Sequence, residues 1–483
     1  MKFVFAQYHT MRILFFLIAV LSAAHTFAQP GYKIEFQIEG LKDTTVNLGY
    51  YLSEQTYRRD TAQVDSKGYF FFDGAKSLPP GVYFLLLGNA LQYQFVLGAD
   101  QHFRMTTRRA DYIKNMKVTG DPDNEAYFEN MNYSATRYAE VEPFIKVLRD
   151  STASKEAKAK AQEGYQKIFG EVMAHQNDFV AKNPSFVSSR WLKATKQVEV
   201  PDPPKDASGK ILDSTFQFKY YRKHYFDYFD LADEALLRLP KPLYVEKVKD
   251  YLDRLFIQHP DTLYNEILKL AAVAKKNQET YKWLVWTCIG HYQTHTIMGL
   301  DEVYVRLVDK FVKTGEMDFW IDKTSKKNTM EYVDKVRLSL VGNTAPNLIF
   351  QDKDLKPRSM YDIKNKYTIL FFFRPTCGHC KEETPKLVEF YKKNKKLLDV
   401  EVFAVDTDTS LVEMKKFITD MKTEWITVSS YRSYVGHFSK FYHADLTPTI
   451  YVIDDKKKII GKKLDVSQLE DFLTRYSKAH PKI

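Results

Sequence analysis

The sequence predicts a multidomain chain in which an antiparallel β-sandwich is followed by an all-α domain and then by an α/β domain. Three observations support this fold class. The length of 483 residues exceeds what one hydrophobic core normally serves. Short alternating segments fill the first quarter of the chain, and helical periodicity then gives way, near residue 341, to apolar runs that alternate with helices. A hydrophobic content of 44% is that of a globular protein.

The N-terminus has the pattern of an export signal. Lys2 and Arg12 precede an apolar run that is shorter than the about 20 residues of a membrane-spanning helix. A Thr-x-Ala pattern of small residues follows and ends at Ala28, as expected before a signal-peptidase cut. We therefore predict a signal peptide at residues 1–28, a periplasmic location and no integral membrane span in the mature chain.

Residues 31–120 are predicted to form the β-rich domain. Tyr32 to Glu39 alternates apolar and polar side chains with a period of two. Further short apolar segments, bounded by glycine or proline, follow at regular intervals. Strands at this spacing are typical of a small antiparallel sandwich.

Residues 125–340 are predicted to form the helical domain, because they are rich in Ala, Glu, Lys and Gln at helical spacing. Cys288, His291 and His295 recur there at intervals that place them on one helical face. Their apolar surroundings favour core packing over metal binding, and a free cysteine is often buried as a small hydrophobe. The sequence therefore predicts no metal site.

Residues 341–483 are predicted to form the α/β domain, and they contain a Cys-x-x-Cys pair. A strongly apolar run ends at Phe373, and Cys377 and Cys380 follow it, two of only three cysteines in the chain. Cys377 is expected at a helix N-terminus, where free backbone N–H groups and the helix dipole favour a thiolate by at most about 2 kcal/mol. This pattern alone leaves open a redox-active pair, a static disulfide, a zinc half-site and a haem attachment site. Zinc lacks a second cysteine pair, and haem attachment lacks a histidine directly after Cys380.

The surroundings of this pair resemble the thioredoxin superfamily. Pro448 follows Thr447 at the entry to a β-run, a placement that a cis peptide bond would explain. Pro385 matches the helix proline of the superfamily, and the Gly-x-x-Ala-Pro sequence at residues 342–346 resembles the opening of its TlpA/ResA-like branch. The resemblance covers residues 341–483 and implies a C-terminal thioredoxin fold.

The resemblance also implies roles for the matching residues. Cys377 would be the attacking thiol and Cys380 the buried resolving thiol, so that the redox-active disulfide between them would be the only cofactor. Thr447 and Pro448 would line the groove that receives a partner polypeptide.

Three neighbours of the pair are expected to tune it. Gly378 and His379 lie between the cysteines and influence the redox potential, and a histidine there favours the oxidising end. Glu383 matches an acidic residue of the TlpA/ResA-like branch. It would accept the proton of Cys380, because Phe371 stands where thioredoxin has a buried aspartate.

The sequence therefore predicts a periplasmic thiol-disulfide oxidoreductase that acts on disulfide- or thiol-bearing envelope proteins, with a membrane electron donor or acceptor as a further partner. The order of domains looks like that of multidomain thioredoxin-like proteins of Bacteroidetes cell envelopes. The direction of electron flow stays open. The alternative is an envelope binding or scaffold protein whose thioredoxin-like domain is structural or only recognises partners. The net charge of +10 is not arranged in a basic stripe with stacking aromatics, so nucleic acid is not an expected partner.

Overall fold

The computed structural model describes residues 31–480, and the signal peptide predicted at residues 1–28 lies outside them. The chain divides into two compact units, Met1–Val248 and Lys249–Ile483. The helical region contributes helices to both units. The boundaries predicted for the three domains stay predictions.

The first unit begins with a β-rich part. Its strands are β1 (Tyr32–Glu39), β2 (Thr44–Leu52), β3 (Gln55–Val64), β4 (Tyr69–Gly74), β5 (Gly81–Leu87), β6 (Ala90–Leu97), β7 (His102–Arg108) and β8 (Lys117–Thr119). They form two four-stranded sheets with the orders β4-β1-β7-β8 and β3-β2-β5-β6. Neighbouring strands are antiparallel except β1 and β7, which are parallel. The core is aromatic, and Phe36 stacks on Phe70 with 4.9 Å between ring centroids.

Helices complete the first unit. They are α1 (Pro122–Arg149), α2 (Lys155–Lys182), α3 (Val187–Ala194), α4 (Phe216–His224) and the beginning of α5 (Leu243–Arg254). The carboxylate of Asp123, in the first turn of α1, accepts hydrogen bonds from the Val187 N–H at 2.6 Å and from the Ser188 hydroxyl at 2.5 Å. The bond from Val187 satisfies a free N–H group at the start of α3, and both bonds tie this helix to the start of α1.

The second unit takes up the end of α5 and continues with four α-helices within the described residues. They are α6 (Pro260–Ala274), α7 (Gln278–Gln293), α8 (Asp301–Leu307) and α9 (Lys323–Leu338). Each of α6, α7 and α9 begins at a residue whose side chain accepts a hydrogen bond from the first turn, which defines the start of the helix. None of the helices described in this chain combines the length and the apolar character needed to cross a bilayer.

A seven-stranded mixed sheet with helices on its faces follows. Its elements are β9 (Ile349–Asp352), β10 (Pro357–Ser359), β11 (Tyr367–Phe373), α10 (Gly378–Asn394), β12 (Val400–Asp406), α11 (Leu411–Met421), β13 (Ile426–Ser433), β14 (Thr449–Asp454), β15 (Ile459–Lys462) and α12 (Leu469–Ala479). The strand order is β10-β9-β13-β12-β11-β14-β15.

Strand β11 lies inside this sheet, parallel to β12 and antiparallel to β14. All seven of its residues are buried because both faces of the sheet are covered, which explains its unbroken apolar sequence. Phe371 and Phe373 pack into the core on one face, and Leu370 and Phe372 into the core on the other. The predicted fold class, a β-sandwich, an all-α region and a C-terminal α/β thioredoxin fold, is confirmed, with one parallel strand pair in the sandwich.

Candidate active site

Cys377 caps the N-terminus of α10. The strand β11 ends at Phe373, and a tight turn follows in which the Cys377 N–H donates to the Arg374 carbonyl at 3.1 Å. The sulfur of Cys377 accepts a hydrogen bond from the backbone N–H of Cys380 at 3.4 Å. Cys377 thus lies at the start of the helix that follows a central strand, which is where the sequence predicts it.

The two thiols of the pair differ in environment. Burial is the largest effect on the pKa of Cys377 and opposes ionisation, but hydrogen bonds from the Cys380 side chain and backbone N–H outweigh it and lower this pKa. Cys380 is fully buried in the core between α10 and the sheet. Burial raises its pKa to about 11. Of the two thiols, Cys377 is therefore the one that loses its proton more easily.

The cis-proline loop lies against the first thiol. The Thr447–Pro448 peptide bond is cis, as the sequence predicts. The Cys377 thiol donates to the carbonyl oxygen of Thr447 at 3.5 Å. The loop is brought there by β14, which begins at Thr449 opposite Phe372 of β11.

A groove of about 270 Å³ adjoins this loop. Its walls come from the cis-proline segment and from the turn after β15, and its lining includes Pro448, Thr449, His443, Asp445, Lys463 and Asp465. Leu446, also in the lining, is 82% exposed. The groove therefore combines an exposed apolar side chain with charged groups of both signs.

The residues between the cysteines lie at the surface. A side chain at Gly378 would meet no other atom within 4 Å, so local packing does not require glycine at this position. The His379 ring is 62% exposed and lies 3.4 Å from a carboxylate oxygen of Glu382. The His379 ring thus contacts the Glu382 carboxylate at the protein surface.

Glu383 follows Cys380 by one helical turn. Its carboxylate binds the Lys386 ammonium group at 2.6 Å, and the side chain is 13% exposed. The structure thus places Glu383 on the active-site helix but in an ion pair. Its role as proton acceptor stays a prediction.

Sequence reasoning missed a buried acid beside the site. Asp406 ends β12 and pairs in register with Phe373, the last residue of β11. It is fully buried, with one carboxylate oxygen accepting the Asp408 N–H at 2.8 Å and the other without a partner among the described residues. Burial raises its pKa to about 7. The sequence carries only a weak signal: Asp406 directly follows the apolar residues 402–405, but Glu401 lies in the same strand.

Three family models match successive parts of the chain, in the order of its β-rich, helical and α/β regions. Residues 32–127 match a domain of unknown function (DUF4369), residues 149–336 match another (DUF5106), and residues 340–475 match Redoxin. Thiol-disulfide oxidoreductase ResA from Bacillus cereus (strain ATCC 10987 / NRS 248) is 28% identical over 183 residues, covering 37% of this chain and 98% of that protein. ResA from Bacillus anthracis is 26% identical over 148 residues, covering 30% of this chain and 82% of that protein.

Solved structures give two further likenesses. A domain of a possible thiol-disulfide isomerase from Cytophaga hutchinsonii is 39% identical, covers 29% of this chain and 95% of its own, and has a TM-score of 0.27. A thioredoxin-like protein from Bacteroides caccae is 17% identical, covers 58% of this chain and 99% of its own, and has a TM-score of 0.46.

The mixed sheet, the Cys-x-x-Cys pair at a helix start and the Redoxin match define the class: the C-terminal region of this chain belongs to the thioredoxin superfamily. Within that superfamily, the ResA relatives identify a TlpA/ResA-like protein. The region is thus related to thiol-disulfide oxidoreductases, as the sequence motifs predict.

Proposed function

We propose that the protein is a periplasmic thiol-disulfide oxidoreductase that exchanges disulfides with envelope proteins through Cys377 and Cys380. The asymmetry of the two thiols carries this proposal. Cys377 is partly exposed and hydrogen-bonded in a way that favours its thiolate, whereas Cys380 is buried with a raised pKa. Exchange through a mixed disulfide needs one thiol that a client can reach and a second that is held in reserve beside it.

In the reducing direction, the Cys377 thiolate attacks one sulfur of a client disulfide. A Cys377–client disulfide forms, and the other client sulfur leaves as a thiolate that takes up a proton. Cys380 then loses its proton and attacks the Cys377 sulfur, which releases the second client thiol and closes the Cys377–Cys380 disulfide. Two electrons pass from the protein to the client, and the reverse sequence oxidises a client dithiol.

The cis-proline loop and its groove are the proposed client site. The Thr447 carbonyl lies within hydrogen-bonding distance of the Cys377 thiol, so a chain bound along Thr447 and Pro448 has its sulfur beside the attacking atom. The exposed side chain of Leu446 offers an apolar contact at the same place. This arrangement suits an extended polypeptide with a cysteine better than a small molecule.

The proposed location and partners rest on the N-terminal pattern and on the chemistry. A signal peptide at residues 1–28 would deliver the chain to a compartment in which disulfides persist. Each turnover leaves the pair oxidised or reduced, so a redox partner must restore it, and we propose a membrane electron donor or acceptor for this role. Clients are envelope proteins that carry thiols or disulfides.

Trapping tests this function directly. In the full mature chain, Cys380→Ala keeps the attacking thiol and removes the resolving one, so a mixed disulfide with a disulfide-bearing client is expected to accumulate and to dissolve on reduction. Cys288→Ala added to this variant should leave trapping unchanged, because Cys288 is buried in α7. If no mixed disulfide forms while Cys377 is present and reduced, the exchange mechanism is wrong and the scaffold alternative gains support.

A further inference from the structure

A cluster of two histidines and one aspartate lies in the second unit, outside the dithiol site. The ligand atoms of Asp253, His291 and His295 all lie within 4.8 Å of one another. One oxygen of Asp253 is 2.8 Å from Nε2 of His291 and 3.9 Å from Nε2 of His295. The aspartate thus stands between two ring nitrogens, although it precedes His291 by 38 residues in the chain.

The three side chains come from the ends of two helices. Asp253 is in the last turn of α5, His291 is in the last turn of α7, and His295 follows the end of α7 by two residues. The His295 ring stacks on Tyr292 with an interplanar angle of 19°, and His291 meets His295 edge-on with ring centroids 5.0 Å apart. Packing therefore fixes both rings before any ligand binds.

The distances suit a tetrahedral metal ion. Zinc binds histidine nitrogen at about 2.0–2.1 Å and carboxylate oxygen at about 2.0–2.2 Å, so two ligand atoms of one tetrahedral ion lie roughly 3.3 Å apart. The two separations from Asp253, 2.8 and 3.9 Å, fall on either side of this value. The remaining separation, between the ligand nitrogens of the two histidines, is within 4.8 Å.

We propose that Asp253, His291 and His295 bind one divalent transition-metal ion of the zinc type, with a fourth position taken by water. Two neutral imidazoles and one carboxylate form a nitrogen-rich set that suits such ions better than magnesium or calcium, which prefer oxygen ligands. The histidine side chains are 17% and 11% exposed and that of Asp253 is 35% exposed, so an ion can enter along the carboxylate.

The bound ion would clamp the end of α5 to the end of α7. Cys288, one turn before His291, is not part of the cluster, because its side chain is buried in the core of the helices.

Zinc titration calorimetry of the full mature, untagged chain tests this proposal. Cys377→Ser and Cys380→Ser are introduced first, because thiolates themselves bind zinc. One Zn²⁺ per chain is expected, and Mg²⁺ should not bind. His291→Gln and His295→Gln should each lower the affinity for Zn²⁺ at least about 100-fold, since even residues outside the ligand shell often contribute 10- to 100-fold.

A matched control is available in the first unit. His224 also pairs with an aspartate, Asp227, at 2.6 Å, but it belongs to no three-ligand group among the described residues. His224→Gln should leave zinc binding unchanged. An equal loss of affinity in this control and in the His291 and His295 variants would show that the chain binds zinc non-specifically, and would overturn the proposal.

A second measurement, the melting temperature with and without zinc, distinguishes loss of the metal site from loss of the fold. Zinc in excess should raise the melting temperature of the parent chain, because a ligand that binds only the folded state stabilises it. Asp253→Asn keeps a hydrogen-bonding group beside the histidines but removes the anionic ligand, so this rise should disappear. An equal rise in Asp253→Asn, or no zinc binding by the parent chain, would contradict the proposal and leave a simple histidine–aspartate hydrogen bond.

Discussion

The helix start at Cys377 and the helix interior at Cys288 shift the pKa of the same side chain in opposite directions. Cys288 is 1% exposed in the middle of α7, and burial raises its pKa to about 12. Burial also acts against ionisation at Cys377, yet hydrogen bonds from the side chain and N–H of Cys380 lower the pKa there. The difference lies in backbone geometry: the first turn of a helix has free N–H donors, and its interior has none. Cys377, which is partly exposed and hydrogen-bonded at the helix cap, is therefore easier to ionise than Cys288 or the buried Cys380 of the same helix turn.

The largest expected effect is on activity, which should depend on Cys377 and not on Cys288. Cys377→Ser should reduce the thiol-dependent reduction of insulin by the full chain to the uncatalysed background, because the attacking thiolate is gone. Cys288→Ala should keep the activity and cost about 1 kcal/mol of stability, as is usual for a small buried truncation. Insulin precipitation and thermal melting measure the two quantities. Equal activity of the Cys377 variant and the parent would refute the distinction.

A buried carboxyl extends the comparison to a third group. Asp406 receives one backbone N–H bond, but burial prevails and raises its pKa from 3.8 to about 7. The folded state thus favours the neutral acid, so the stability associated with this group is complete below pH 3.8 and is lost as the pH rises through about 7. The loss is roughly 4 kcal/mol at most.

Asp406→Asn should therefore melt at a higher temperature than the parent at pH 8, with the advantage shrinking or reversing at acidic pH. Thermal melting at several pH values measures this. Asp420→Asn, on the exposed face of α11, is the matched control and should melt in parallel with the parent at every pH. A parallel response of Asp406→Asn and the parent would mean that this carboxyl ionises freely in the folded protein.

The smallest expected effect concerns His379. Its ring is exposed and lies beside Glu382, so we expect the backbone donors at the helix start to stabilise the Cys377 thiolate more than this imidazole does. His379→Gln should then change the Cys377–Cys380 reduction potential by less than about 30 mV, which corresponds to about 1.4 kcal/mol for two electrons. Equilibration of the full chain with a glutathione series measures the potential.

The same titration gives the direction of electron flow. A parent value near about −270 mV favours a reductase, and one above about −190 mV favours an oxidant or isomerase. A large fall of the potential in His379→Gln would show that the histidine, and not the helix start, controls the thiolate.

Elements whose own sequence reflects their surroundings were predictable, such as a strand that is buried on both faces. The run that ends at Phe373 is apolar throughout because both faces of β11 are covered, and the observed strand ends at the same residue. The positions of Cys377 and Pro448 followed from that strand and from a proline at the entry to β14.

Elements whose stability depends on distant contacts were not predictable. Strand β13 has Thr427, Ser429 and Ser430 in buried positions, so its sequence lacks the apolar signal of a central strand. Lys462 is buried at the end of β15, where its ammonium group pairs with Asp301 of α8. Because these partners lie far apart in the chain, no local pattern reveals them.

Two side-chain clusters were also unpredictable because their members lie far apart in the sequence. Asp406 lies next to Phe373, which ends the strand before Cys377, only because of the register between the two neighbouring strands. Asp253 reaches the two histidines from a different helix, so the interval of Cys288, His291 and His295, which predicted packing, did not include the third member of the cluster. Asp406 and Asp253 thus needed the paired elements of the folded chain to show their neighbours.

The thiolate titration of the reduced full chain tests the central claim most directly. Iodoacetamide labelling is followed across pH by mass spectrometry, so that each cysteine is measured separately. We predict that Cys377 is labelled with a midpoint below the ordinary thiol pKa of about 8.5 and that Cys288 is labelled only after unfolding. A midpoint for Cys377 at or above that value, or labelling of native Cys288 at a comparable rate, would contradict the account.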